Sequence, residues 1–176
     1  MSTFSETQNT QKPLFIAFPI VVWLAFMVFA VIQLYNYQTF GTPLGDEGEE
    51  MPLGVFIGIM ILMTLTFGFL EFLVLRLELK VTVSSAGIYF EMPPMKKPVL
   101  FKPGEIEYAF VRKYYPIKEY GGWGYKGWFR RNRAYNVSGR WGIQIILKNN
   151  RKILLGIKEK EKAIIALEQI GFNKKP

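Results

Sequence analysis

Two long apolar stretches decide the fold of this chain: LFIAFPIVVWLAFMVFAVIQLY at residues 14–35 and LGVFIGIMILMTLTFGFLEFLVL at residues 53–75. The first contains 22 residues without a charge, and the second contains 23 residues with a single charge, Glu71. A helix needs about 20 apolar residues to cross the hydrocarbon core of a bilayer. Both stretches are also apolar on all sides, as lipid-facing helices are. The sequence therefore predicts a transmembrane hairpin over residues 13–76, preceded by an N-terminal tail at residues 1–12.

The charges around the two spans predict their orientation. The loop at residues 36–51 contains four acidic residues and no Lys or Arg, whereas residues 77–176 contain 20 Lys and Arg against 8 Asp and Glu. Because cytoplasmic flanks collect Lys and Arg, we expect the loop outside and both termini in the cytoplasm. The alternative for the first span is a cleaved signal peptide. The apolar core of the first span is longer than the roughly 7–15 residues typical of a signal peptide, and no small-x-small cleavage site follows the span.

Two features within the second span have more than one interpretation. Glu71 is read as a carboxylate at the inner interface that reaches water or pairs with Arg76, in preference to an intramembrane proton or ion site. Gly54 and Gly58 have the spacing that lets two helices approach closely, a pattern that is also common by chance in apolar segments.

The composition argues against an enzyme. The chain has no Cys and no His, which excludes disulfides and thiolate chemistry and removes the commonest general base and transition-metal ligand. Asp, Glu, Lys, Ser and Tyr could still build a catalytic site, but no spacing places a nucleophile beside a base. We therefore predict no catalytic residues, no metal and no cofactor.

Beyond Arg76 the hydrophobic pattern changes to that of short strands. Residues 77–84 alternate apolar and polar side chains, which is typical of a half-buried strand. Further strands are predicted near residues 88–91, 99–101, 106–114, 134–137, 142–147 and 153–157. Asn149-Asn150 is a plausible hairpin turn, and residues 159–170 have one apolar helical face. This order predicts an α+β membrane protein whose residues 77–171 form a small antiparallel β-barrel or sandwich with one C-terminal helix. Residues 172–176 form a tail.

The most distinctive segment of the chain is GGWGYKGWFRRNR at residues 121–133, which joins glycines, aromatic residues and cations. Two interpretations stay open. The Trp residues cap one end of the β domain while the glycines permit a tight backbone path, or the cations and aromatics contact lipid headgroups or a partner. The candidate binding residues are Trp123, Lys126, Trp128, Arg130, Arg131 and Arg133.

Four short motifs carry a resemblance to a known group of proteins: YGGWG at 120–124, RAYNVSG at 133–139, GIQ at 142–144 and LLG at 154–156. The set resembles one that recurs in largely uncharacterised bacterial membrane proteins with N-terminal transmembrane helices and a pleckstrin-homology-like (PH-like) domain. The resemblance implies two near-orthogonal antiparallel sheets closed by a C-terminal helix, in a multi-pass protein of the bacterial inner membrane. This chain departs from the family pattern in its local charge, because Lys126, Arg130 and Arg131 crowd the segment after YGGWG.

These patterns together predict a membrane-anchored, non-catalytic module. Its cytoplasmic PH-like domain would bind anionic lipid headgroups or a protein partner. The alternative is an accessory or structural subunit of a larger membrane complex. Nucleic acid is not an expected partner, because no RNA-binding or helix-turn-helix pattern occurs and a nearby anionic membrane surface explains the basic charge.

Overall fold

The structure is a computed structural model that describes residues 3–9, 13–44, 51–127 and 131–172. The chain divides into two compact units. One unit comprises Gln11–Leu75, and the other combines Met1–Thr10 with Arg76–Pro176. The segments before and after the helical unit therefore belong to the same domain.

The helical unit contains α1 (Pro13–Phe40) and α2 (Leu53–Leu75). Within them, Ile16–Phe40 and Leu53–Leu75 each contain an 18-residue stretch with a mean hydropathy of 2.4 in which only 6% of the residues are buried. By length and composition both can therefore cross a membrane. α1 runs beyond the predicted Tyr35, because its polar last turn contains no helix breaker before Gly41. Gly41 has a φ of 64° and its N–H donates to the Tyr37 carbonyl, which ends the helix.

The second unit begins with a four-stranded antiparallel sheet, sheet A, in the order β1-β2-β3-β4. Its strands are β1 (Phe4–Asn9), β2 (Glu78–Ser84), β3 (Gly87–Met92) and β4 (Lys96–Phe101). The period-two pattern after Arg76 predicts β2 and β3, and both are present.

Strand β1 corrects the prediction that residues 1–12 are a tail outside the domain. It pairs with β2 from Phe4↔Val83 to Asn9↔Glu78, and Phe4 is buried in the core. The Glu6 carboxylate accepts the N–H groups of Lys158 and Glu159, at 2.8 and 3.0 Å. The sequence FSETQN has one large apolar residue and no apolar–polar alternation, so hydrophobic periodicity could not identify this strand.

Sheet B has five strands in the order β5-β8-β9-β7-β6. They are β5 (Ile106–Lys113), β6 (Gly124–Lys126), β7 (Asn132–Asn136), β8 (Trp141–Leu147) and β9 (Lys152–Ile157). β7 runs parallel to β9, so the prediction of a purely antiparallel domain is wrong at this pair. The cause is the connection after β5, which leads from one edge of sheet B to β6 at the other edge.

The two sheets and α4 (Lys160–Gln169) share one hydrophobic core. α4 contributes Ala163, Ala166 and Leu167, which are all buried, and it lies where the apolar face of residues 159–170 predicts a helix. The α+β class is therefore confirmed. The strands that the structure describes do not close into a barrel, so the barrel and the PH-like fold are not confirmed.

Candidate functional site

A short helix, α3 (Pro116–Tyr120), lies on the face of sheet B opposite the main core. Leu155 points into the main core, and its neighbour Leu154 therefore points to this outer face. There Leu154 forms a second small core with Tyr114 and Ala134, and the Tyr120 ring packs against it. The segment between β5 and β6 is thus a packed layer on sheet B.

A polar network fixes α3 to the sheet. The Arg112 guanidinium donates from Nη2 to Glu119 Oε2 at 2.7 Å and to the Tyr120 hydroxyl at 3.1 Å. Its Nε donates to Gln144 Oε1 at 3.0 Å. Burial alone would raise the pKa of Glu119, but the hydrogen bonds from Arg112 and from the Tyr115 N–H outweigh burial and hold that pKa below its ordinary value. α3 is therefore held to the sheet by charge-assisted bonds to its side chains.

Asn136 holds the start of β6. Its side chain is buried, and its Oδ1 accepts the N–H of Gly124 at 2.9 Å. A Cβ added at Gly156 would lie 3.0 Å from the Asn136 Cβ, so only glycine fits there without displacing a neighbour. Tyr120, Gln144, Asn136 and Gly156 all belong to the motifs that carry the family resemblance. In this chain these motif residues build the scaffold.

Burial raises the pKa of Tyr114 to about 12, and the nearby Asn136 amide only partly offsets this effect. No hydrogen bond of good geometry joins the two groups. Unfolded chains lose the phenol proton near pH 10.0, whereas the folded domain keeps it to about 12. The stability that Tyr114 contributes is therefore fully present below pH 10.0 and is lost as the pH rises through about 12.

We expect a Tyr114→Phe variant to lose less stability than the wild type in this alkaline range, because phenylalanine has no proton to release. Free energies of unfolding from urea titrations on both sides of pH 10.0 would measure the difference. Tyr135, whose pKa is also raised to about 12 by burial and by Tyr125, is retained in both proteins and serves as an internal reference. Equal losses in the two proteins would contradict the assignment to Tyr114.

The structure separates the predicted binding residues. Lys126 is half-buried on the outer face of sheet B, where it pairs with Ala134 and reaches over Gly122. Arg133 precedes Ala134 in β7 and so points to the opposite face, beside Tyr135. The two cations are therefore not parts of one surface.

The other predicted residues differ in their exposure. Trp123 is half-buried next to β6, and Arg131 is exposed where β7 begins. Trp128 and Arg130 lie outside the described residues. Whether the segment at 121–133 binds a ligand stays a prediction.

A more exposed surface lies just before this segment, at Lys113, Tyr115, Ile117 and Lys118, which we call the α3 tip. The side chain of Ile117 is 68% exposed and that of Tyr115 is 51% exposed. Both lysines are exposed as well. The N–H of Gly121 donates to the Ile117 carbonyl at 2.9 Å, so the α3 tip is continuous with the glycine-rich segment. The sequence pattern missed it because Pro116 reads as the end of a strand and not as the first residue of a helix.

Within the described ranges, no group of three or more Asp, Glu, His or Cys side chains could hold a metal ion. The α3 tip offers apolar surface and positive charge, which suit a membrane surface or an acidic partner. It offers no nucleophile beside a base.

Comparisons of the chain with protein-family models, with curated proteins and with solved structures gave no match. The resemblance to PH-like membrane proteins therefore rests on the four motifs alone. The structure shows the architecture of this chain: two apolar helices and a β-rich domain that includes the N-terminal strand.

Proposed function

We propose that this chain is a membrane-anchored, non-catalytic module whose β domain binds anionic lipid headgroups through the α3 tip. The observation that carries the proposal is the exposure of Ile117 and Tyr115 between two exposed lysines. A large apolar side chain that is exposed on a short helix is costly in water and gains free energy where it can enter the interface of a bilayer.

The energetics favour lipid as the ligand. Each cation near an anionic leaflet gains about 1 kcal/mol, and tyrosine prefers the headgroup zone. Lys113 and Lys118 together would therefore contribute about 2 kcal/mol before screening by salt. Because the helical hairpin already anchors the chain, these contacts would orient the domain or report lipid composition.

The pairing of β1 with β2 supports the orientation that we propose. β1 precedes α1 and β2 follows α2, yet the two strands lie in one sheet. If both helices cross the membrane, the start of α1 and the end of α2 lie on the same side of it. The basic residues assign that side to the cytoplasm. Cleavage of the first span as a signal peptide would remove β1 as well. A location in the bacterial inner membrane is proposed from the motif resemblance.

The test uses the full chain in lipid nanodiscs, with an environment-sensitive fluorophore at Ile117→Cys in the otherwise cysteine-free sequence. In nanodiscs of equal parts phosphatidylglycerol and phosphatidylcholine, we expect a blue shift of the fluorophore and quenching by spin-labelled lipid. Replacing Lys113 and Lys118 with glutamine should weaken this contact by about 30-fold at low salt, since about 2 kcal/mol of attraction is lost.

The matched control carries the fluorophore at Ile165→Cys on α4, another exposed apolar position. The proposal expects a weaker response there. Quenching at position 117 that is the same in pure phosphatidylcholine, or the same after removal of both lysines, would contradict headgroup binding.

A second candidate function is an accessory or structural subunit of a membrane complex. It is favoured by α2, where no described atom outside the surrounding turns of the helix lies within 4 Å of a Cβ added at Gly54 or Gly58. That face is open to a neighbouring helix. Shielding of position 117 that depends on a co-purifying protein and not on lipid would favour this function.

A further inference from the structure

The two helices of the hairpin form between them an open-sided cavity of about 220 Å³, lined by residues of the helical unit. α1 lines it with Pro19 and Trp23, and α2 lines it with Phe67, Gly68 and Glu71, among others. Outside the surrounding turns of α2, no described atom lies within 4 Å of a Cβ added at Gly68. The missing side chain at this position therefore helps to keep the space open.

The charged group of this cavity is the Glu71 carboxyl. Both carboxyl oxygens are shielded from solvent, and neither has a hydrogen-bond partner among the described residues. An isolated carboxylate in an apolar environment is costly unless a proton, water or a cation compensates it. Since a water molecule takes about 30 Å³ in the liquid, the cavity has room for a ligand considerably larger than one water.

The other polar groups of the cavity are already engaged. The Trp23 indole N–H donates to the Thr64 hydroxyl at 3.4 Å, and that hydroxyl donates to the Met60 carbonyl at 2.9 Å. These bonds hold the indole ring in place and leave no spare donor on these two side chains. The site therefore has no free side-chain donor to offer an anion.

We infer that this cavity is a binding site for a hydrophobic monocation, an ammonium group with apolar substituents. Glu71 supplies the opposite charge, and the rings of Trp23 and Phe67 supply apolar surface and π-faces that attract cations. Glu71 is four residues from the end of α2, about 6 Å along the helix. A ligand can thus enter from the membrane interface.

The test is isothermal titration of the full-length protein in phosphatidylcholine nanodiscs, with empty nanodiscs as the baseline. The probe is benzyltrimethylammonium, and its neutral counterpart is neopentylbenzene, in which carbon replaces the charged nitrogen. We expect saturable binding of the cation that weakens by about tenfold or more in Glu71→Gln, because one charge contact is lost. Affinity for the neutral compound should be the same in both proteins.

Two further variants complete the design. Glu107→Gln changes an exposed carboxylate on β5 and should leave binding of the cation unchanged. Phe67→Leu keeps an apolar side chain and removes one aromatic ring. It should therefore weaken binding of the cation more than binding of the neutral compound. If Glu71→Gln does not assemble, Phe67→Leu still tests the site. Absence of saturable binding to the wild type, or equal affinity of wild type and Glu71→Gln for the cation, would overturn the inference.

Discussion

Replacing Phe4 with alanine should lower the free energy of unfolding of the β domain by about 3–5 kcal/mol, the usual cost of removing a buried phenylalanine ring. Phe4 is 4% exposed and packs in the main core, although it lies more than 70 positions before most of its neighbours. Urea titration of the full chain in detergent, followed by tryptophan fluorescence, measures the change.

Thr7→Ala is the matched control, because Thr7 lies in the same strand but is exposed. We expect its effect to stay within about 0.5 kcal/mol. Deletion of residues 1–9 should be at least as damaging as Phe4→Ala, since it also removes the Glu6 carboxylate from the start of α4. A chain that tolerates this deletion would show that β1 contributes nothing to the domain.

Replacing Gly87 with alanine should cost more than about 3 kcal/mol and could prevent folding of sheet A. Gly87 begins β3 with a φ of 127°, which side chains rarely adopt. A Cβ there would also overlap the backbone carbonyl oxygen of Phe101 on β4. Because both the backbone and its neighbour belong to paired strands, neither can move without breaking ladder hydrogen bonds.

Gly104→Ala provides the comparison for Gly87→Ala. Gly104 has no unusual φ, and no described atom lies within 4 Å of a Cβ added there. Its replacement should change the free energy of unfolding by less than about 1 kcal/mol, with stabilisation as the more common sign. Similar urea midpoints for the two variants would contradict the steric account of Gly87.

The parts of the fold that the sequence predicts are those with strong local patterns. α2 matches its predicted bounds because a charge-poor apolar run of this length has few other structures available. The β8–β9 hairpin turns at Asn149-Asn150, where Asn150 adopts a φ of 62°. Asparagine tolerates this left-handed conformation better than most residues.

The parts that escape prediction depend on distant contacts. β6 has only three residues, too few for a periodic signal. The parallel pairing of β7 with β9 follows from the path of residues 114–123 across sheet B, and no local pattern encodes that path. β1 is stabilised by partners that follow both helices in the chain.

The candidate site shows the same limit. A run of cations in sequence looks like one patch, but strand alternation places Lys126 and Arg133 on opposite faces of sheet B. The exposed Ile117 and Tyr115 could have been found from the Tyr-Pro-Ile-Lys order only by reading Pro116 as the start of a helix.

If both helices cross the membrane, as we propose, the pairing of β1 with β2 also makes completion of the domain depend on their correct insertion. β1 is synthesised first and has no partner until residues 78–83 emerge, after both helices. A chain in which one helix fails to insert would leave the two strands on opposite sides of the bilayer. Such a chain would expose the unpaired edge of β2, which is prone to aggregation and to capture by proteases. The N-terminal strand would thus act as a check that the hairpin has been assembled with both ends on one side.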